Sequence, residues 1–255
     1  MPEGDTLVRV AAGLRTHLLG RTVTAASARA PGPQAVRLVG ATVTAVEAAG
    51  KNLVVRFDNG LELRTHLRMR GSWHRYRPGE PWRRPASRAR LVLEVPGSVV
   101  VCFDAPVVEL FEARAEPLHP ALSRLGPDLL RDPFDAPEAL RRLRDPGRAA
   151  LAVAEALLDQ RALAGIGNEV KNEVLWEAAQ SPWTPVGDVD DARLDDLVER
   201  ARAMLRTGAA TGRRPRRVYR RARRPCPRCG TPIRVAHQGT TLPRLTFWCA
   251  VCQPA

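Results

Sequence analysis

The chain has 255 residues, and 40 Lys and Arg against 27 Asp and Glu give it a formal net charge of +13 and a sequence pI of about 11.0. This charge favours phosphate polyanions or anionic membrane surfaces as partners and argues against neutral ones. The sequence contains no run of about 18 apolar residues and no charged-then-apolar leader. We therefore expect a soluble intracellular protein whose leading partner is nucleic acid.

The chain starts MPEGDT, which places a proline and a glutamate directly behind Met1. Removal of Met1 would turn Pro2 into a free secondary amine with the Glu3 carboxylate beside it, a pair that can do chemistry. The alternative is that these are tolerant terminal residues. The stretch DTLVRVAAGLRTHLL (5–19) follows with apolar residues at helical spacing, and Gly20 marks its end.

Residues 21 to about 115 predict a β-sandwich or barrel of roughly eight strands. Asp58-Asn59-Gly60 lies between two β-rich runs and indicates a hairpin. Cys102, in the β-rich run SVVVCF (98–103), is expected to be a buried thiol without a chemical role. The clearest runs are NLVVRF (52–57), LELRTHL (61–67), ARLVLEV (89–95) and SVVVCF (98–103).

A segment rich in proline and acidic residues (116–137) indicates a connection, and the pattern after Pro146 is helical. The predicted helical segments are RAALAVAEALLDQRAL (148–163), NEVKNEVLWEAA (168–179) and DDARLDDLVERARAML (190–205). Gly165-Ile166-Gly167-Asn168 interrupts the first two, with Asn168 as a candidate N-cap. This loop is either an ordinary helix–turn–helix corner or an anion-binding helix start.

Two C-x-x-C pairs, Cys226/Cys229 and Cys249/Cys252, are separated by nineteen residues near the end of the chain. This spacing predicts one structural, four-thiolate Zn²⁺ site. Two disulfides or a redox dithiol are the alternatives, and the basic intracellular context argues against both. His237, between the pairs, is expected to be a surface residue.

The stretch TTLPRLTFWC (240–249) predicts the second strand of a hairpin within this cysteine module. Arg244 falls near the turn of the hairpin. A zinc-braced tip makes a phosphate contact a reasonable expectation for Arg244, and one more arginine in an arginine-rich chain is the alternative.

Six stretches, in order and over nearly the whole chain, resemble the formamidopyrimidine-DNA glycosylase/endonuclease VIII family. They are MPEG (1–4), GKNLVVRF (50–57), LRTHLRMRGSWHRY (63–76), LLDQRALAGIGNEVKNEVLW (157–176), VYRRARRPCPRCGTPI (218–233) and RLTFWCAVC (244–252). The resemblance implies an α+β fold: an N-terminal helix plus β-sandwich, a helix–two-turn–helix (H2TH) domain and a zinc-finger hairpin. We expect an N-terminal catalytic β-sandwich domain over 1–115, a linker over 116–145, an H2TH domain over 146–212, and a basic segment with the zinc finger over 213–255.

The resemblance also implies roles at the start of the chain and in the β half. Pro2, freed of Met1, would attack C1′ of a damaged nucleotide and expel the base through a Schiff base. Glu3 would move protons at the sugar ring oxygen, and Lys51 would contact phosphate and assist proton transfer. A surface lysine is the alternative for Lys51.

Three further matches are expected to contact damaged double-stranded DNA. Asn168 and Arg244 would hold the phosphates beside the flipped nucleotide, since the base must leave the stack before reaction. Met69 would fill the gap left by that base. A core position in a strand is the alternative for Met69.

The chain departs from the family in three places. The arginine and phenylalanine that probe the opposite base in formamidopyrimidine glycosylases are absent, and Phe111, the nearest candidate, is expected in the core. Asp5 and Thr6 stand where a second acidic residue often lies. The usual VYGR-x-G reads VYRRAR, so Arg220 and Arg223 replace glycines, and the cluster 213–224 is either a disordered linker or extra DNA affinity.

These features predict a monomeric, cytoplasmic, nucleoid-associated DNA glycosylase/AP lyase. The MPEGDT start and the missing opposite-base pair favour the endonuclease VIII side, especially actinobacterial-type members, and oxidised pyrimidines as substrates. The alternatives are the same chemistry on 8-oxoguanine, formamidopyrimidine, abasic or crosslinked lesions, or a zinc protein that binds damaged DNA without catalysis. A ribosome-associated basic zinc protein would explain the charge and the cysteines but not the amino terminus.

Overall fold

The computed structural model describes residues 2–240 and 243–254. Two compact units make up the chain: residues 1–2 with 6–123, and residues 3–5 with 124–255. None of the helices in the described ranges is long and apolar enough to cross a lipid bilayer.

The first unit combines helix α1 (Gly4–Leu18), most of which lies in it, with eight antiparallel strands in two four-stranded sheets. One sheet has the order β1-β6-β7-β5 and the other β2-β3-β4-β8. The strands are β1 (Ala25–Ala28), β2 (Val43–Ala49), β3 (Asn52–Phe57), β4 (Leu61–His66), β5 (Ser72–Tyr76), β6 (Ala89–Val95), β7 (Ser98–Phe103) and β8 (Val107–Glu112). The predicted sandwich is therefore confirmed.

The core of this unit follows from the periodicity of its elements. Helix α1 buries one stripe, which includes Leu7, Leu14 and Leu18, against apolar residues of both sheets. Gly60, in the predicted turn after Asp58, has φ 77°, a conformation that glycine adopts without steric cost. Cys102 is fully buried in β7, and burial raises the pKa of its thiol far above the usual range.

The second unit contains four helices and a two-stranded hairpin. The helices are α2 (Ala136–Leu143), α3 (Val153–Ala156), α4 (Asn168–Glu177) and α5 (Asp191–Thr211), and the strands are β9 (Arg234–Gln238) and β10 (Arg244–Trp248). The helices share one apolar cluster, whereas Trp176 of α4 belongs to a separate cluster with the hairpin and the cysteine module.

One prediction for this unit was wrong in detail. The helix predicted over 148–163 is only the four residues of α3, because the chain leaves the helix to form backbone bonds such as Gly126 N–H to Gln160 O. Helix α2 lies inside the segment predicted as a linker. The division into four segments stays a prediction.

Candidate active site

The Glu3 carboxylate, within the second unit, lies at the first turn of helix α4. It is 1% exposed, its Oε1 accepts the Glu169 N–H at 2.8 Å, and its Oε2 accepts the Val170 N–H at 3.3 Å. The first amides of a helix have no intrahelical partner and carry the positive end of the helix dipole. The anion at this helix start is therefore a side chain of the protein itself, and it immediately follows Pro2.

Glycines let the start of the chain approach this helix closely. A Cβ on Gly167 would overlap the carboxyl group of Glu3, and one on Gly208 would overlap the Asp5 carboxylate. The Gly4 N–H also donates to Gly165 O at 2.9 Å. Gly167 thus serves the close approach of Glu3, as the sequence suggested, while Gly165 makes the backbone contact with Gly4.

Arg214 provides the positive charge beside this carboxylate. Its Nη1 lies 2.9 Å from Glu3 Oε2 and 3.1 Å from Asp5 Oδ1, and its Nε lies 3.3 Å from Glu169 Oε1. All four side chains are at least nine-tenths buried. One guanidinium therefore joins three carboxylates at the helix start.

Asn168 joins the start of α4 to the hairpin. Its Nδ2 donates to Leu245 O at 2.8 Å, directly next to Arg244, while its buried Oδ1 has no hydrogen-bond partner among the described residues. The prediction that Asn168 caps the helix was wrong: Gly167 is the N-cap and Asn168 the first helical residue, because its side chain is turned to the hairpin. Arg244 itself is exposed on β10.

A buried polar chain strengthens the same junction. Lys171 is 1% exposed, and its Nζ donates to Thr246 Oγ1 at 2.8 Å, which in turn donates to Gln238 Oε1 at 2.6 Å. Burial lowers the pKa of Lys171 to about 7; Glu155 and Glu3 oppose this effect and Arg244 adds to it. A lysine whose pKa lies close to neutral pH is thus placed between the Glu3 carboxylate and the hairpin that carries Arg244.

Glu173 fixes the approach to the cysteine module. Its fully buried carboxylate accepts the backbone N–H groups of Arg217 (2.7 Å), Val218 (3.0 Å) and Tyr219 (2.7 Å). Burial raises the pKa of Glu173, and these three hydrogen bonds oppose the rise. The segment around them is therefore anchored to α4, and the prediction of a disordered linker does not hold for this part of 213–224.

The four cysteines of the two C-x-x-C pairs come together, with all Sγ atoms within 4.8 Å of one another. The Cys226–Cys252 and Cys229–Cys249 Sγ distances are 3.9 and 3.4 Å. Tetrahedral coordination at about 2.3 Å per bond requires sulfur separations of about 3.8 Å, so the set fits one metal ion. All four are free thiols, which excludes the disulfide alternative in this structure.

Hydrogen bonds favour the thiolate form at Cys226 and Cys229, whereas burial raises the pKa of Cys249 and Cys252. The Thr231 hydroxyl lowers the pKa of Cys229 to about 6, and Trp176 Nε1 donates to Cys226 Sγ at 3.4 Å. Cations and donors next to thiolates are common around bound metals. His237 is exposed on β9, as expected, outside the thiol cluster.

In the first unit, Lys51 lies in the two-residue turn between β2 and β3. Asn52 closes this turn by donating to Ala49 O at 3.0 Å and accepts from Arg64 Nε at 2.9 Å. Burial, followed by the charges of Arg64, Lys51 and Arg68, lowers the pKa of His66 to about 4. A neutral imidazole therefore lies among these cations.

Met69 is on the loop after β4 and is 60% exposed, which excludes the core alternative. Arg68 and Arg70, on either side of it, are exposed too. The prediction that Phe111 is a core residue was wrong: it is half-buried on β8, where its ring lies 4.7 Å from that of His119. Pro2 is half-buried.

Sequence reasoning missed the residues that hold the site together, namely Arg214, Lys171 and Glu173. Arg214 is one of many arginines in its segment, and no local pattern distinguishes it. A lysine and a glutamate in NEVKNEVLW resemble surface residues, and their burial becomes visible only in the folded chain.

Comparisons with known proteins agree with this architecture. Residues 1–106 match the family model for the formamidopyrimidine-DNA glycosylase N-terminal domain, and residues 125–218 match the model for the formamidopyrimidine-DNA glycosylase H2TH domain. Three similar proteins illustrate the range of relatives.

A probable endonuclease 8 2 of Streptomyces coelicolor is 41% identical, over 99% of this chain and 94% of its own length. A DNA-(apurinic or apyrimidinic site) lyase Nei2 of Mycolicibacterium smegmatis is 38% identical over the whole of both chains. A crystal structure of Lactococcus lactis formamidopyrimidine-DNA glycosylase bound to DNA with an abasic site has the same fold, with a TM-score of 0.85 at 21% identity and full coverage of both chains.

Proposed function

The chain belongs to the formamidopyrimidine-DNA glycosylase/endonuclease VIII family, and on this premise we propose that it is a bifunctional DNA glycosylase and AP lyase of base excision repair. It acts on damaged double-stranded DNA, as a monomer, in the cytoplasm where the nucleoid lies. The net charge of +13 supports a polyanionic substrate.

The anchored start of the chain is the observation that carries this proposal. Glu3 is held by two backbone amides of α4 and by Arg214, in a space that Gly167 leaves open. A protein that only binds DNA needs no fixed carboxylate behind its second residue. The arrangement fits a chemical role for Pro2 and Glu3.

Once Met1 is removed, the Pro2 nitrogen is the nucleophile. An α-amino group titrates near pH 8, against about 10.4 for lysine, so a much larger fraction is neutral at pH 7. Its attack on C1′ forms the N–C1′ bond while the base leaves with the electron pair of the glycosidic bond and takes up a proton. Loss of the N–H proton and opening of the C1′–O4′ bond, with a proton delivered to O4′, give the iminium, which accepts electrons when the 3′ phosphate leaves by β-elimination. Glu3 moves the proton at the ring oxygen, and Lys51 contacts phosphate and assists proton transfer.

Three groups position the DNA. Asn168 has an unused Nδ2 hydrogen and lies next to the Arg244 strand, so these two residues bind the phosphates beside the flipped nucleotide. Met69, exposed on its loop, fills the space that the base leaves.

Cys226, Cys229, Cys249 and Cys252 hold one Zn²⁺. Four thiolates leave no open coordination position, so the ion stabilises the hairpin that carries Arg244 and takes no part in the reaction. Cysteine ligands in this number favour zinc over the hard, oxygen-binding cations.

Oxidised pyrimidines are the proposed base substrates. This choice is supported by Phe111, the nearest candidate for a probe of the opposite base, whose ring lies 4.7 Å from that of His119. The same chemistry on 8-oxoguanine, formamidopyrimidine, abasic or crosslinked lesions is the alternative.

A strand-cleavage assay tests the proposal. Zinc-loaded protein is incubated with duplexes that carry 5-hydroxyuracil, thymine glycol, 8-oxoguanine or an abasic site, and Glu3→Gln is the matched variant. We expect cleavage at the pyrimidine lesions, with sugar or phosphate ends that report β or β,δ elimination, and a large loss in Glu3→Gln.

The outcomes separate the alternatives. Cleavage at 8-oxoguanine alone would shift the substrate class and keep the chemistry. Binding to every lesion without cleavage, in protein shown to lack Met1 and to contain zinc, would leave a damaged-DNA-binding protein.

A further inference from the structure

Two arginines in the segment before the first cysteine adopt a backbone conformation that favours glycine. Arg220 has φ 57° and Arg223 has φ 65°, whereas most residues with side chains keep φ negative. We name residues 217–224 the basic strap. The two arginines are the same residues that stand where the family has glycines.

This conformation disfavours residues with a Cβ, because the Cβ approaches the backbone carbonyl oxygen. Glycine would adopt it freely. Strained backbone of this kind persists where the rest of the structure enforces it and is frequent at functional sites. Arginine in place of glycine at these two positions therefore lowers the stability of the folded chain. A function of the arginine side chains accounts for their presence despite this loss.

Contacts at both ends fix the strap. At its start, Glu173 accepts the N–H groups of Arg217, Val218 and Tyr219. At its end, Arg223 N–H donates to Ile233 O at 2.8 Å, and Ile233 N–H donates to Arg224 O at 2.9 Å. The backbone is thus rigid, and a ligand that binds here does not have to order it.

The two side chains are available to an anion. Both arginines are exposed, and neither forms an ion pair with any carboxylate in the described residues. The guanidinium of Arg220 lies 5.6 Å from the ring centroid of Tyr219, and that ring lies 5.5 Å from Phe247 of β10. The strap therefore packs on the strand that carries Arg244, the proposed phosphate-binding residue.

We propose that Arg220 and Arg223 form a second phosphate-binding site for the DNA backbone, next to the Arg244 hairpin, and that their left-handed backbone is retained for this purpose. The proposal rests on the proposed function, since the anion is the backbone of the substrate duplex. A planar guanidinium pairs with phosphate through two hydrogen bonds, which makes arginine suited to this role.

The test compares three double variants of the zinc-loaded full chain. Arg220→Gly/Arg223→Gly removes both charges and the strain, and Arg220→Lys/Arg223→Lys keeps both charges. Arg124→Gly/Arg131→Gly removes two exposed, unpaired charges elsewhere in the second unit, where φ is not left-handed. The Kd for a duplex with a reduced abasic site is measured from 50 to 200 mM salt, together with Tm.

The glycine variant is expected to bind more weakly and to lower the slope of log Kd against log salt by about 0.9 per arginine. Its Tm is expected to stay equal or to rise by about 1–4 °C, because strain is removed. The lysine variant and the Arg124/Arg131 control are expected to keep the wild-type slope.

Three results would each overturn the proposal. They are an unchanged salt slope in the glycine variant, an equal loss of DNA affinity and slope in the Arg124/Arg131 control, and a lower Tm in the glycine variant. Strand cleavage by wild-type protein is measured in parallel. If wild type cleaves and the glycine variant binds normally, the strap assignment alone fails; if wild type does not cleave, the proposed function fails independently of the strap.

Discussion

Arg214, 211 positions from Glu3 in the sequence, donates from Nη1 to Glu3 Oε2 at 2.9 Å. The same guanidinium contacts Asp5 and Glu169, and all these side chains are at least nine-tenths buried. Arg214 therefore bridges the carboxylates of Glu3, Asp5 and Glu169, and Arg216 adds a second ion pair to Glu169 at 3.0 Å. The position of the Glu3 carboxylate depends on Arg214 as much as on helix α4.

Arg214→Leu is expected to destabilise the protein by about 3–5 kcal/mol, because it removes a nearly buried cation that pairs with the buried carboxylates of Glu3, Asp5 and Glu169. Cleavage of abasic DNA should fall as well. Arg213→Leu, at the exposed neighbour, should stay within about 0.5 kcal/mol of wild type in urea unfolding. Equal losses in the two variants would contradict a specific role for Arg214.

Gly167→Ala tests the space around Glu3. The new Cβ would overlap the carboxyl group, so Glu3 has to move, and we expect a loss of about 10²-fold in single-turnover cleavage. In Gly13→Ala the Cβ makes only ordinary contacts, 3.7 Å from Arg75, and activity should be unchanged. Retained activity in Gly167→Ala would show that the reaction does not need the space that Gly167 leaves for the Glu3 carboxyl group.

Lys171→Met tests the lowered pKa of the buried lysine through the pH dependence of the free energy of unfolding. The pKa of Lys171 is about 7 in the folded chain and about 10.4 unfolded, so between these values the unfolded state binds more protons. Wild-type stability then rises with pH over this range, by up to about 1.4 kcal/mol per unit. Urea unfolding from pH 7 to 10 should show the stability of Lys171→Met relative to wild type declining as pH rises. Parallel curves would mean that Lys171 is charged in the folded state.

Removal of the metal should release the hairpin. Cys249→Ser, or chelation of the wild type, is expected to lower the zinc content from one per chain and to increase hydrogen exchange in β9 and β10. DNA binding should weaken because Arg244 and the Asn168–Leu245 bond lose their support. Cys102→Ala is the control, since Cys102 is buried in β7, and it should retain one zinc.

Met69→Ala is expected to reduce excision of a base-paired lesion by about tenfold, while cleavage at a preformed abasic site changes less. The reason is that Met69 acts when the base leaves the stack, and an abasic site has no base to replace. Because Met69 is 60% exposed, the free energy of unfolding should change by less than about 0.5 kcal/mol. Equal losses on both substrates would contradict the wedge role.

Local patterns predicted much of the fold. The strands β3, β6 and β7 begin and end at the predicted residues, because runs rich in apolar and β-branched residues next to turn glycines determine such boundaries. The helix over 148–163 failed since its apolar content reflects burial of irregular chain in the helical core, which periodicity does not distinguish from a helix.

The candidate site was less accessible to prediction. The cysteine spacing indicated the cluster of four thiols, and the MPEG start indicated Pro2 and Glu3 as candidates; both signals are local in sequence. Arg214, Lys171 and Glu173 act through contacts that join distant segments, for example 44 to 46 positions apart for Glu173. Residue type and spacing carry no signal for such pairs.

The most direct test of the central claim is borohydride reduction during reaction with abasic DNA, followed by peptide mapping of the covalent adduct. The account predicts a single DNA adduct on the amino group of Pro2 in protein that lacks Met1, with no such adduct in protein that retains Met1. An adduct on Lys51 or another lysine, or no adduct from zinc-loaded protein with a free Pro2, would contradict it.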